Sequence, residues 1–142
     1  VGSEMCIRDR ALISPVTPTK RKPIIMVIQR LHSNKRLSNT VIHNGVVYLA
    51  GQLANNHDAD IRTQTAETLA NIDRLLEEAG SHKSKILTVT IYLKDITTDF
   101  AAMNEVWEEW VAEGQAPARA CVEAAMFKPS LLVEMSVVAA IA

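Results

Sequence analysis

From position 26 onward the apolar residues fall into a few periodic blocks. Residues 26–32 alternate as a short strand does, with Val27, Gln29 and Leu31 against Ile28 and Arg30. Residues 39–43 and 46–50 are β-rich runs on either side of Asn44-Gly45. That pair predicts a two-residue hairpin, because a type I′ turn needs positive φ at both central positions. Residues 58–79 carry Ile61, Thr65, Leu69, Ile72 and Leu76 at three- and four-residue spacing, with Leu75 widening the stripe. This is a helix whose apolar face must cover a sheet, capped by Asp58 or Asp60 and ended by Gly80.

Residues 86–93 return to period two and are expected to set Leu87, Val89, Ile91 and Leu93 on one face, Thr88, Thr90 and Tyr92 on the other. A second helix is predicted from a cap at Thr98 or Asp99 through Ala112, with Phe100, Met103, Trp107, Trp110 and Val111 on its apolar side. Gly114 and Pro117 end it. Residues 118–125 and 131–142 complete the chain as strands joined through Lys128-Pro129-Ser130. The order is β-β-β-α-β-α-β-β, an α+β fold in one domain.

The last run sets Leu131, Val133, Met135 and Val137 against Leu132, Ser136, Val138 and the lone Glu134. Two helices can cover one face of a single sheet, and the other face still presents apolar side chains. A homo-oligomer is the expected outcome.

The first 25 residues do not share this patterning. They contain Pro15, Pro18, Pro23 and the basic cluster Lys20-Arg21-Lys22 without a sustained period. The opening Val1-Gly2-Ser3-Glu4-Met5-Cys6-Ile7-Arg8-Asp9-Arg10 looks like translated adapter sequence, so residues 1–25 are expected to be a disordered, non-native extension and 26–142 the domain. A basic targeting peptide is the other reading, weakened by Glu4 and Asp9 and by the lack of a continuous apolar stretch.

The division alters the charge. The whole chain has 142 residues, 48% hydrophobic and 22% charged, with a formal net charge of −1. Five of its fifteen Lys and Arg and two of its sixteen Asp and Glu lie in 1–25, which leaves ten against fourteen, or −4, in the domain. No general positive field exists to hold nucleic acid or an anionic membrane. The run Val137 to Ala142 is far short of the ~20 apolar residues a membrane span needs. Cys6 and Cys121 are the two cysteines, so a disulfide scaffold is not expected, and a reduced cytoplasmic setting fits.

Few residues offer chemistry. His32, His43, His57 and His82 are scattered without metal-ligand spacing, and there is neither a Gly-rich phosphate loop nor a G-x-S-x-G elbow. The segment Pro117-Ala118-Arg119-Ala120-Cys121-Val122-Glu123 remains. On a strand, Arg119, Cys121 and Glu123 share one face. Arg119 is either a structural bridge to Glu123 or Glu134, or a guanidinium fork that clamps a small carboxylate. Glu134 on an otherwise apolar strand needs a partner or a task. Cys121 is expected to be a small buried core residue rather than a nucleophile, with no histidine near it in sequence. Trp107 and Trp110 are read as core. Asn104 is either a helix-surface amide or a polar contact to a neighbouring chain.

These residues resemble those of the RidA family of reactive-intermediate (enamine/imine) deaminases, in its YoaB-like branch. The similarity rests on Val46-Val47-Tyr48-Leu49-Ala50-Gly51-Gln52, Gln64-Thr65, Asn71-Ile72, Tyr92-Leu93-Lys94-Asp95, Phe100-Ala101-Ala102-Met103-Asn104, Pro117-Ala118-Arg119-Ala120-Cys121-Val122 and Val133-Glu134. The resemblance implies a chorismate-mutase-like fold, a homotrimer with sites in the clefts between chains, and no metal or organic cofactor. It implies that Arg119 binds the substrate carboxylate, helped by backbone near Gly51 and Cys121, and that Glu134 positions the attacking water. The implied reaction is hydrolytic deamination of 2-enamine and 2-imine acids of the 2-aminoacrylate type to 2-keto acids and ammonia. The alternative is a non-catalytic trimer that binds keto acids or similar metabolites, or a chaperone-like protein. Two departures stand out: Ala50 replaces a hydroxyl residue before Gly51-Gln52, and Arg36-Leu37-Ser38-Asn39 stands where better-known members read Pro-Tyr-Ser-Gln.

Overall fold

The computed structural model describes residues 27–141; the segment expected to be a non-native extension lies outside them. Six strands form one sheet: β1 (Gln29–Ser33), β2 (Ser38–His43), β3 (Val46–Gln52), β4 (Ile86–Leu93), β5 (Ala118–Glu123) and β6 (Val133–Ala140). Two helices, α1 (Ile61–Glu78) and α2 (Ile96–Trp110), pack on one of its faces. The spatial order is β1-β2-β3-β6-β4-β5, antiparallel except for the β4–β5 pair, which α2 connects. The α+β architecture and its element order are as the periodicity predicts.

The hairpin turn forms at Asn44-Gly45, with φ of 53° and 75°. His43 and Val46 close the ladder beneath it. Strand β6 sits at the centre and alternates without interruption: Val133, Met135, Val137 and Ala139 are buried under the helices, while Glu134, Ser136 and Val138 face away. Thr65, Leu69, Ile72, Leu75 and Leu76 of α1 are buried against it, and Met103 and Trp107 of α2 extend the core toward β5. Each fully buried aliphatic side chain contributes about 1.5–3 kcal/mol before ordering entropy is charged.

Three expectations are corrected. Strand β4 has a register irregularity between Ile86 and Thr88 on the β6 side, so Ile86 enters the core and Leu87 turns outward, 51% exposed. Helix α2 begins at Ile96 and is capped by Asp95, whose carboxylate accepts from the Thr98 N–H at 3.1 Å and the Thr98 hydroxyl at 2.8 Å. Phe100, placed on the apolar side by its spacing, is instead 40% exposed. For α1 the cap is Asp60, which accepts from the Thr63 N–H at 2.9 Å.

The uncovered face carries Tyr48, Leu87 and Val122, all more than 40% exposed, beside the half-buried Val41 and Val138. Strand β1 is an outer edge of the sheet. It is short and mostly exposed, and within it His32 has φ of 54° and an Nε2 that meets Glu78 Oε1 at 2.5 Å. No helix among the described residues is long and apolar enough to cross a membrane.

The two caps make a pH prediction. Hydrogen bonds from Thr63 to Asp60 and from Thr98 to Asp95 hold both carboxyls below the ordinary value of 3.8. Their folded pKa values lie under the unfolded ones, so their stabilisation is complete above the unfolded pKa and fades as pH falls through the folded one. The double variant Asp60→Ala/Asp95→Ala should melt below the parent at pH 7. The gap should close as the melts are taken toward pH 2; a constant gap would contradict the assignment.

Candidate functional site

The register fixes where each candidate points. Reading across the sheet, Leu49 pairs with Val137, Val137 with Val89 and Val89 with Arg119. Arg119 thus lies on the helix-covered face, as do Cys121 opposite Ile91 and Glu123 opposite Leu93. All three share one face of β5, as expected. Glu134 pairs with Tyr92, and Tyr92 with Val122, on the open face. Arg119 and Glu134 are therefore on opposite sides of the sheet, two strands and three residues apart, about 14 Å along its surface before its thickness is added.

Arg119 is the second residue of the edge strand β5 and is half-buried. Its guanidinium carbon stands 5.3 Å from the centroid of the Trp107 ring, a cation–π arrangement that orients the fork without using its donors. Among the described residues the ion pairs join His32 to Glu78 and Arg62 to Glu105, and neither involves Arg119. Neither proposed bridge forms within the chain: the Glu123 carboxylate accepts from the Ile96 N–H at 3.2 Å, and Glu134 lies across the sheet. Trp107 thus acts as buried core and as the platform under Arg119, a second role that its spacing did not disclose. The Trp110 indole N–H donates to Asp73 at 2.8 Å and ties α2 to α1. Asn104, one turn before Trp107, is half-buried on α2.

Cys121 is half-buried and packs against the core. Burial raises its thiol above the usual value of 9.0, and Arg119 offsets this only in part. It is a thiol at neutral pH, which argues against a nucleophile. Asp99, read from the sequence only as a possible cap, is a buried acid on α2. Burial first and Asp95 second raise its carboxyl above the ordinary range.

On the open face, Gly51 and Glu134 touch. A Cβ on Gly51 would lie 2.9 Å from Glu134 Cδ and 3.0 Å from its Oε2. The β3–β6 register shifts between Leu49 and Gln52, and this irregularity presents the bare Gly51 backbone to the carboxylate. Glycine is needed here for close approach, since its φ is not among the positive ones. Ala50 precedes it, half-buried. Among the described residues no three His, Cys, Asp or Glu side chains gather where a metal could bind. A hollow of about 230 Å³ lined by His32, Asn39, Arg74, Leu75 and Glu78 lies between the β1–β2 edge and α1, at the opposite end of the sheet from Arg119.

One mixed sheet with two helices on a single face, a centrally placed β6 and an arginine at the start of the parallel edge strand define the chorismate-mutase-like α+β class. The comparisons with known proteins narrow that class. The endoribonuclease L-PSP family model matches residues 27–141. The RutC family protein YoaB of Escherichia coli is 48% identical over 116 residues, covering 82% of this chain and all of that protein. A RutC family protein of Haemophilus influenzae is 43% identical over 115 residues, 80% of this chain and 98% of the relative. The crystal structure of a YjgF-family protein from Neisseria meningitidis superimposes with a TM-score of 0.79 at 43% identity, over 82% of this chain and 97% of that one. The chain belongs to this family, the RidA/YjgF proteins, and sits with its YoaB-like members.

Two outcomes test the geometry. Gly51→Ala should change the unfolding free energy by no more than about 1 kcal/mol, since only a side-chain tip must move. It should nevertheless displace the Glu134 carboxylate, seen as a shifted ¹³Cδ resonance; an unmoved resonance would refute the contact. In a Cys6→Ser background, Cys121 should react with iodoacetamide at pH 8 more slowly than free cysteine, because less of it is thiolate.

Proposed function

We propose that the protein hydrolyses reactive 2-imino acids, formed from enamines of the 2-aminoacrylate type, to 2-keto acids and ammonia. The observation that carries this reading is Arg119: a guanidinium oriented by Trp107 at the start of an edge strand, engaged in none of the ion pairs found among the described residues. Such a fork suits a small carboxylate, which it can grip by two parallel N–H···O bonds. A three- or four-carbon acid held there cannot touch Glu134 of the same chain, about 14 Å or more away. The proposed site is therefore composite, with Arg119, Cys121 and Asn104 from one copy facing Gly51 and Glu134 of the next. A closed trimer provides three such clefts, and the apolar face with Tyr48, Leu87 and Val122 supports burial between copies.

The chemistry asks little of the protein. The imine carbon is electrophilic, so a water oxygen adds to it while the water proton passes to Glu134. That proton is returned to the imine nitrogen, giving a carbinolamine; transfer of the hydroxyl proton to the amine then lets the C–N bond break, and ammonia leaves as the carbonyl forms. Arg119 fixes the acid end, and Glu134 aims the water from across the cleft. Gly51, lacking a side chain, lets that carboxylate lie close against the β3 backbone. The family name carries a ribonuclease activity, but a domain of net charge −4 offers no general attraction for a polyanion.

Coupling the protein to an amino-acid oxidase and following imine decay tests this directly. Wild type should accelerate decay, and Arg119→Ala should lose about a hundredfold or more in kcat/KM, because both grip and orientation go. Arg119→Lys should fail almost as fully, since an ammonium lacks the fork. Decay at the same rate with and without protein would overturn the enzymatic reading and leave the alternative, a keto-acid-binding trimer.

A further inference from the structure

Helix α1 buries two carboxamides whose work the packing of a core does not require. Gln64 is 0% exposed, yet it is fully engaged. Its amide nitrogen donates to the carbonyl oxygens of Ala59 and Ser130, each at 2.9 Å, with His57 O at 3.4 Å as a third, weaker partner. Its Oε1 accepts from the Leu132 N–H at 2.9 Å. Asn71, two turns along, donates to Leu53 O at 2.9 Å. The Leu132 carbonyl is held in turn by the Lys94 N–H at 3.0 Å.

These contacts converge on two loops, one leaving Gly51 and the other entering Glu134. Leu53 is two residues past Gly51, and Leu132 two residues before Glu134. Gln64 bonds to both loops: Ala59 and His57 belong to the first, Ser130 and Leu132 to the second, and the loops also meet where Lys128 Nζ lies 3.4 Å from His57 Nδ1. An apolar residue of the same volume would fill the space but leave one N–H and at least two carbonyls unpaired in the interior. The register irregularity beside Gly51 lies within this bracket, where the ladder itself gives the least control over position.

We infer that Gln64 is a positioning residue for the proposed deaminase site, acting through the Leu132 backbone to hold the Glu134 carboxylate against Gly51. The inference rests on the deaminase reading and adds a residue that touches neither substrate nor water. Arg119 holds the substrate from another copy, so Gln64 governs the aim of the water and hardly affects affinity.

The experiment is a kinetic double-mutant cycle on the full chain, with melting and amide exchange measured on every variant. Gln64→Met should lower kcat about tenfold or more with KM within about twofold, and the Leu132 amide should lose exchange protection. Glu134→Asp retracts the same carboxylate. If Gln64 works through Glu134, the double variant should be little worse than Glu134→Asp alone, whereas a purely structural role makes the two losses multiply. Multiplying losses, or a fully active Gln64→Met, would overturn the proposal while the wild-type activity stands. An inactive wild type would overturn the deaminase reading and this proposal together. Should Gln64→Met not fold, Gln64→Glu keeps the acceptor for Leu132 and loses its donors when ionised. Its activity relative to wild type should recover between pH 8 and pH 6, as a buried carboxyl regains a proton and one donor; parallel profiles would refute the role.

Discussion

The alternation of a pleated strand beneath a one-sided helical layer is the constraint on which the rest of this molecule depends. In β6 the side chains of Val133, Met135, Val137 and Ala139 must enter the core, so Glu134 must leave it. Carried through β4 to β5, the same alternation turns Arg119 toward the helices. A one-residue slip of β6 would exchange its faces and bury Glu134 in place of a methionine or valine. Arg119 and Glu134 are thus kept apart by the rule that builds the core, and one chain alone cannot present both to a single small ligand.

Against that rigid centre, the segments flanking Gly51 and Glu134 are held by side-chain amides. Loop carbonyls cannot pair with a neighbouring strand, and in the interior each unpaired one costs about 1–3 kcal/mol. Thr65 and Thr68 meet their own need locally, bonding back to Ile61 O and Gln64 O one turn earlier. Gln64 and Asn71 reach outward instead. The helix that supplies the apolar face therefore also supplies the polar brackets, and both follow from one 3.6-residue period.

Much of this is legible in the sequence. The Asn44-Gly45 turn, the α1 stripe and the alternation of β6 are local patterns, and local patterns survive folding. The shared face of Arg119, Cys121 and Glu123 was equally readable, because it needs only period two. The outward turn of Leu87 was not, since it arises from an irregular pairing with β6, some fifty residues away. The cap at Asp95 was hidden by Thr98 and Asp99, which look like caps themselves but lie inside the first turn. The opposition of Arg119 and Glu134 needed the strand order, and the stacking of Arg119 on Trp107 needed the packing of α2 over β5. Gln64 belonged to a recognisable motif, but its task depends on two loops that meet only in the fold.

The edge strand β1 has a consequence of another kind. Any open sheet offers a row of unpaired amides to a stray β-segment, which is how fibrils begin. Here that margin is five residues long, largely exposed, and bent at His32 into a left-handed conformation anchored to the end of α1. A flat incoming segment would lose its register at the bend. A margin that is short, exposed and bent discourages edge-to-edge pairing.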